Sequence, residues 1–151
     1  MGKTYLVAVD GSKQSWKAVD LAAELAGQTG AKIALIHVVP VEPAPPGIER
    51  WAEIEGLTVA EVKARRRHAL SIGDAVVKQG EKRIREAGLS DISTRTVEGD
   101  TAGQIVALAE DIKADIVFVG TRGMSDLSGA LLGSISHKVA QLAPCPCALV
   151  R

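Results

Sequence analysis

Short aliphatic runs alternate with stretches of helical period along this chain, and that alternation limits its fold more than any other feature. Tyr5-Leu-Val-Ala-Val9, Lys32-Ile-Ala-Leu-Ile-His-Val-Val39, Asp115-Ile-Val-Phe-Val119 and Pro146-Cys-Ala-Leu-Val150 are nearly continuous apolar runs. Strands covered on both faces read this way, because neither face meets water. Asp91-Ile-Ser-Thr-Arg-Thr-Val97 alternates more, as a strand with one exposed face does. Between the first two runs, Trp16, Val19, Ala22, Ala23, Leu25 and Ala26 recur at helical spacing, and Gly30 stops the helix. A second helix is expected from about Thr58 to Ala87, with Gly73 and Gly80 as weak points and Gly88 as its stop. Ile105, Leu108, Ala109 and Ile112 mark a third helix, and Ile135 to Leu142 a fourth. Five strands separated by helices predict an α/β chain: one open parallel sheet with helices on both faces, Rossmann-like, in a single domain over residues 1–151.

Composition narrows the possible partners. The core must be aliphatic, since the chain has one Phe, one Tyr and two Trp. Eighteen basic side chains balance eighteen acidic ones, so no global field attracts nucleic acid or an anionic membrane. No apolar stretch approaches the roughly 20 residues that span a bilayer. The N-terminus enters a strand pattern at once, leaving no room for a signal peptide, and Met1-Gly2 lacks the hydroxyl residue of a lipidation signal because position 6 is Leu. The expected compartment is the cytoplasm. Cys145 and Cys147 are the only cysteines, and His37, His68 and His137 show no zinc-ligand spacing. Both thiols are read as small buried hydrophobes on one face of the last strand.

In open parallel sheets ligands bind beyond the carboxyl ends of the strands, where the winding reverses. The segment Gly120-Thr-Arg-Gly-Met-Ser-Asp-Leu-Ser-Gly-Ala-Leu-Leu-Gly-Ser134 occupies such a place, between the fourth strand and the last helix. Its spacing, G-x2-G-x9-G-S, is neither the Rossmann nor the Walker pattern. Gly120, Gly123 and Gly133 let backbone N–H groups approach an anion, Ser134 and Ser136 add hydroxyls, Arg122 adds charge, and the helix start adds donors and a favourable dipole. Asp10, at the end of the first strand, either holds ribose hydroxyls or closes a turn. Ser12 reads as an N-cap, and His37 as a buried, hydrogen-bonded side chain. Val38 and Val39 could offer backbone groups to an adenine edge. Lys63, Arg65, Arg66, Arg67 and His68 form the one dense basic run, read as a solvated helix face. No triad, paired-carboxylate site or metal-ligand set stands out, so no catalytic residue is assigned.

The first strand with Asp10, the strand Leu35-Ile-His-Val-Val39, the glycine motif and the final Ala143-Pro-Cys-Pro-Cys-Ala-Leu-Val150 together resemble the universal stress protein family. The resemblance implies a strand order of 3-2-1-4-5 and a homodimer joined through the last strand, Pro146 to Val150. It also implies ATP (or AMP or ADP) binding. Gly120, Thr121, Arg122, Gly123, Gly133, Ser134, Ile135 and Ser136 would surround phosphates and ribose, Asp10 would meet the nucleoside end, and the Val38 backbone would meet adenine. Mg²⁺ would be held mainly by the phosphates. The expected role is regulatory, in stress response. Slow ATP hydrolysis or self-phosphorylation through Ser134, Ser136 or Thr121, and a nucleotide-independent interaction module, are the alternatives. The Pro-rich stretch from Pro40 to Gly56 departs from the family pattern.

Overall fold

The computed structural model describes residues 2–41, 53–122 and 133–151. Gly123, most of the glycine segment after it and most of the Pro40–Gly56 stretch lie outside them. The chain runs β1 (Thr4–Ala8), α1 (Lys13–Thr29), β2 (Lys32–Pro40), α2 (Val59–Glu86), β3 (Ile92–Gly99), α3 (Thr101–Asp111), β4 (Ile116–Gly120), α4 (Ser134–Leu142) and β5 (Cys147–Val150). The five strands form one sheet in the order β3-β2-β1-β4-β5, parallel throughout. The expected architecture is the observed one.

Alternation along the strands divides the core in two. On one face Tyr5, Val7, Val9, Ile33, Leu35 and Phe118 pack against Ala18, Val19, Ala22, Ala23 and Ala26 of α1 and Val77 and Ile84 of α2. On the other, Leu6, Ala34, Ile36, Val38 and Val117 pack against Ala102, Ile105, Leu108 and Ala109 of α3 and Val139 of α4. Because both faces are covered, the central strands need apolar residues at every position, which is why they read as unbroken runs. β3, at the sheet edge, is exposed over Ser93, Thr94 and Arg95. The two helices that follow β1 and β2 cover one face and the two that follow β3 and β4 the other, so the winding reverses between β1 and β4.

The long α2 runs unbroken through Gly73 and Gly80, which correct the expectation of weak points. Both are buried, seven residues apart on one helix face. A Cβ at Gly73 would stand 2.7 Å from His37 Cδ2 and 2.7 Å from Thr96 Cγ2; at Gly80 it would stand 2.9 Å from Leu35 Cδ1. The missing side chains let α2 lie close on β2 and β3. Further down, Arg83 binds Asp20 of α1 through two hydrogen bonds, at 3.1 and 2.8 Å, and its guanidinium lies 5.6 Å from the Trp16 ring centre. β5 begins at Cys147, so Cys145 precedes the strand rather than lying within it. Both free thiols are half-buried against the same core cluster.

Candidate functional site

Three strand ends meet at the reversal point, each fixed by hydrogen bonds within the protein. At the β1 end, Val9 N–H donates to the Ile36 carbonyl at 2.9 Å, and the Val9 carbonyl accepts from His37 Nδ1 at 2.8 Å. A carbonyl only accepts, so Nδ1 carries the imidazole proton. Asp10 Oδ1 accepts the Ser12 N–H at 2.8 Å, closing a turn through Gly11, whose φ of 85° suits glycine. Ser12 Oγ then caps α1 by accepting from Ser15 N–H at 3.2 Å, as its position predicts. Ser15 is buried and its hydroxyl donates to the Ser12 carbonyl at 2.9 Å, a role visible in sequence only as a second serine one turn on.

At the β4 end, Gly120 makes a close approach to protein. A Cβ there would lie 2.8 Å from Gln14 Cβ and 3.1 Å from both Gln14 C and Ser15 N, so the start of α1 abuts the end of β4. That contact sets Asp10 beside the exit of β4. Thr121 is buried; its N–H donates to the Val150 carbonyl at 2.8 Å. Its carbonyl accepts from Gly133 N–H at 2.5 Å and from Ser136 Oγ at 3.1 Å. Ser136 Oγ also lies 3.0 Å from the Gly133 carbonyl. The chain thus leaves the sheet at Thr121 and returns at Gly133 to a closed base, and the buried Ser136 hydroxyl serves that closure. Arg122 is half-buried, and Ser134 and Ile135 are exposed.

The helix starts differ in one telling respect. α1, α2 and α3 are capped by side chains: Ser12, Thr58 and Asp100. On α2 the cap is a full box, with Glu61 returning a bond to Thr58 N–H at 2.6 Å. Hydrogen bonds from the Thr58 backbone and hydroxyl hold the Glu61 carboxyl below the ordinary glutamate range. α4 begins at Gly133 with no side-chain cap. The first-turn amides of Ser134, Ile135 and Ser136 therefore start α4 at the reversal point with the helix dipole behind them and no side-chain cap from the described residues.

At the β2 end, Lys32 and Ile36 bond toward β1 and Ile33 toward β3. In a parallel ladder the N–H and carbonyl of one residue face the same neighbour, in alternation along the strand. Val38 therefore faces the β1 side, beyond the last β1–β2 rung at Ala8–Ile36. Its side chain is buried in the opposite core while its peptide groups look toward the Asp10 turn. The structure brings Asp10, Val38, Gly120, Thr121, Arg122, Gly133, Ser134, Ile135 and Ser136 to one end of the sheet. Lys63, Arg65, Arg67 and His68 are exposed on α2, and Arg66 pairs with Glu98. Burial, then nearby Asp115, raises the Cys145 thiol, and burial, then Cys145, raises Cys147; neither is activated. Among the described residues no three His, Cys, Asp or Glu side chains gather as a metal site, and no helix is long and apolar enough to cross a membrane.

The family model of the universal stress proteins matches residues 1–151. The chain belongs to the universal stress protein family. Its relative from Bacillus subtilis, universal stress protein YxiE, is 33% identical, over 97% of each chain. A universal stress protein solved in complex with cAMP is 30% identical, covers 99% of this chain and 96% of its own, and superposes with a TM-score of 0.67. The solved structure of hypothetical protein MJ0577, at 23% identity, shares the fold with a TM-score of 0.76, covering 99% of this chain and 96% of its own.

Proposed function

We propose that this universal stress protein holds an adenine nucleotide, ATP in particular, across the ends of β1, β2 and β4. The observation that carries the reading is the bare N-terminus of α4: the one described helix start without a side-chain cap opens at the reversal point beside the glycine segment. An anion there supplies the acceptor that Ser12, Thr58 and Asp100 supply to the other helices. Gly123, Gly133 and the amides of Ser134, Ile135 and Ser136 surround the phosphates, with Thr121 and Arg122 at the segment's root. Asp10 meets the ribose, and the Val38 peptide groups meet adenine. Gly120 acts at one remove, by seating α1 against β4. The cAMP complex of the 30% identical relative supports an adenine ligand for this fold and sequence.

Mg²⁺ is held mainly by phosphate oxygens and water. The reading is of holding rather than turnover, because the Ser136 hydroxyl is bound to carbonyls and Asp10 is engaged in its turn. Occupancy then orders the protein's interactions, as suits a regulatory protein of the cytoplasm. Two copies join through the outer edge of β5, where Leu149 is 39% exposed.

Calorimetry is expected to show ATP binding with a Kd on the order of micromolar, about −8 kcal/mol, and Gly123→Val with Gly133→Val is expected to abolish it. Equal binding by that double variant would refute the assignment. Leu149→Asp is expected to convert dimer to monomer in sedimentation; an unchanged mass places the interface elsewhere.

A further inference from the structure

We infer that His37 is the positioning residue of the nucleoside half of this site, an inference that rests on the nucleotide reading above. The β1–β2 ladder ends at Ala8–Ile36. One residue further, backbone pairing gives way to a side chain: the His37 ring donates from Nδ1 to the Val9 carbonyl at 2.8 Å. Val9 directly precedes Asp10, and His37 directly precedes Val38. A single imidazole therefore ties together the two strand ends that carry the ribose and adenine contacts.

The ring is held on its other side as well. The backbone of α2 roofs it at Gly73, where a Cβ would come within 2.7 Å of Cδ2 and 3.4 Å of Nε2. Thr96, its neighbour in register across β2 and β3, fills the space beside it with a methyl group. The Thr96 hydroxyl is buried without a hydrogen-bond partner among the described residues, so packing around the ring takes precedence there over hydrogen bonding. With a glycine above, a β-branched methyl beside and a carbonyl at Nδ1, the imidazole has one orientation. The spacing between Asp10 and the Val38 peptide follows from that orientation. The phosphate half, on Thr121 and α4, has its own closure and does not depend on it.

This separation defines the test. His37→Leu, which removes the donor, is expected to weaken AMP and ATP by the same factor, about tenfold, while binding of inorganic tripolyphosphate changes by less than about twofold. His37→Asn places an amide donor near the Nδ1 position and is expected to restore nucleotide affinity, although the smaller side chain lowers the melting temperature. His37→Gln, whose donor lies one bond farther out, is expected to behave as the leucine variant and replaces it should that variant not fold. Nitrogen-15 spectra of the wild-type ring should show a proton on Nδ1. Wild-type AMP affinity in the leucine or glutamine variant, an equal loss for tripolyphosphate, or an asparagine variant as weak as leucine would overturn the inference. A wild-type chain that binds tripolyphosphate but no adenine nucleotide would instead sink the nucleotide reading, and this inference with it.

Discussion

Replacing Gly73 with alanine sets two known effects against each other, and the structure decides which wins. In a helix interior, alanine is favoured over glycine by about 0.8–1.0 kcal/mol. Gly27, late in α1 and with nothing within 4 Å of a Cβ, is expected to show that gain, reduced by its place near the helix end. At Gly73 the same methyl would meet two carbon atoms at 2.7 Å. Carbon contacts are optimal at about 3.5–4.0 Å, so roughly 1 Å must open on both sides. Neither neighbour gives readily: His37 is tethered to the Val9 carbonyl, and Thr96 is β-branched and stiff about χ1. Overpacking costs about 1–3 kcal/mol, and this site belongs at the upper end. The net is a loss of about 2 kcal/mol for Gly73→Ala against a gain of up to about 1 kcal/mol for Gly27→Ala. For a chain of this size that is a fall of about 4–8 °C against a rise of up to about 4 °C, read by calorimetric melting. A Gly73→Ala protein that melts at or above wild type would refute the close-approach argument.

Other outcomes follow from the described contacts. The Glu61 carboxyl has a lowered pKa in the folded chain, so its contribution is present above the ordinary glutamate pKa and is lost as pH falls through the folded value. Amides at the start of α2 should exchange faster at pH 3 than at pH 6 once intrinsic rates are divided out, and Glu61→Gln should flatten that difference; an unchanged pH response in the variant would place its origin elsewhere. A double-mutant cycle on Arg83 and Asp20 should return a coupling of about 0.5–1 kcal/mol, since both groups are partly exposed, and a value above about 2 kcal/mol would contradict the surface character of the pair. Cys145 and Cys147, half-buried and with thiols raised by desolvation, should react slowly with a disulfide reagent at pH 7 until denaturant is added; fast labelling of the native chain would count against their inert, packing role.

Much of this architecture is local in sequence and could be read there. The runs around Val7, Leu35 and Val117 declare strands because burial on both faces leaves no polar position. Ser12, Gly30 and Gly88 mark helix ends through chemistry confined to a few residues. The glycine spacing and its place after β4 point to the reversal crevice, and Asp10 reads as either turn or ligand. The structure bears out the turn, through the Ser12 N–H. What stayed hidden depends on distant partners. Gly73 and Gly80 read as defects in α2 because their neighbours, His37 and Leu35, are more than thirty positions earlier. Gly120 carries the same message: its place in the motif suggests an anion, whereas Gln14 and Ser15 of α1 already occupy the adjoining space. The Ser136 hydroxyl, read as a donor to ligand, is spent on the carbonyls of Thr121 and Gly133.

The closed base formed by Thr121, Gly133 and Ser136 has a consequence for how the segment above it can be altered. Because departure and return points are bonded to each other, the chain between them is a graft on a finished junction. Exchanging or lengthening it is expected to leave β4, α4 and the sheet register in place, since each doubling of its length adds only about 0.6 kcal/mol of closure entropy. If the proposed nucleotide site holds, exchanging residues 123–132 is expected to alter phosphate affinity while the junction at Thr121 and Gly133 keeps the scaffold that folds the protein constant.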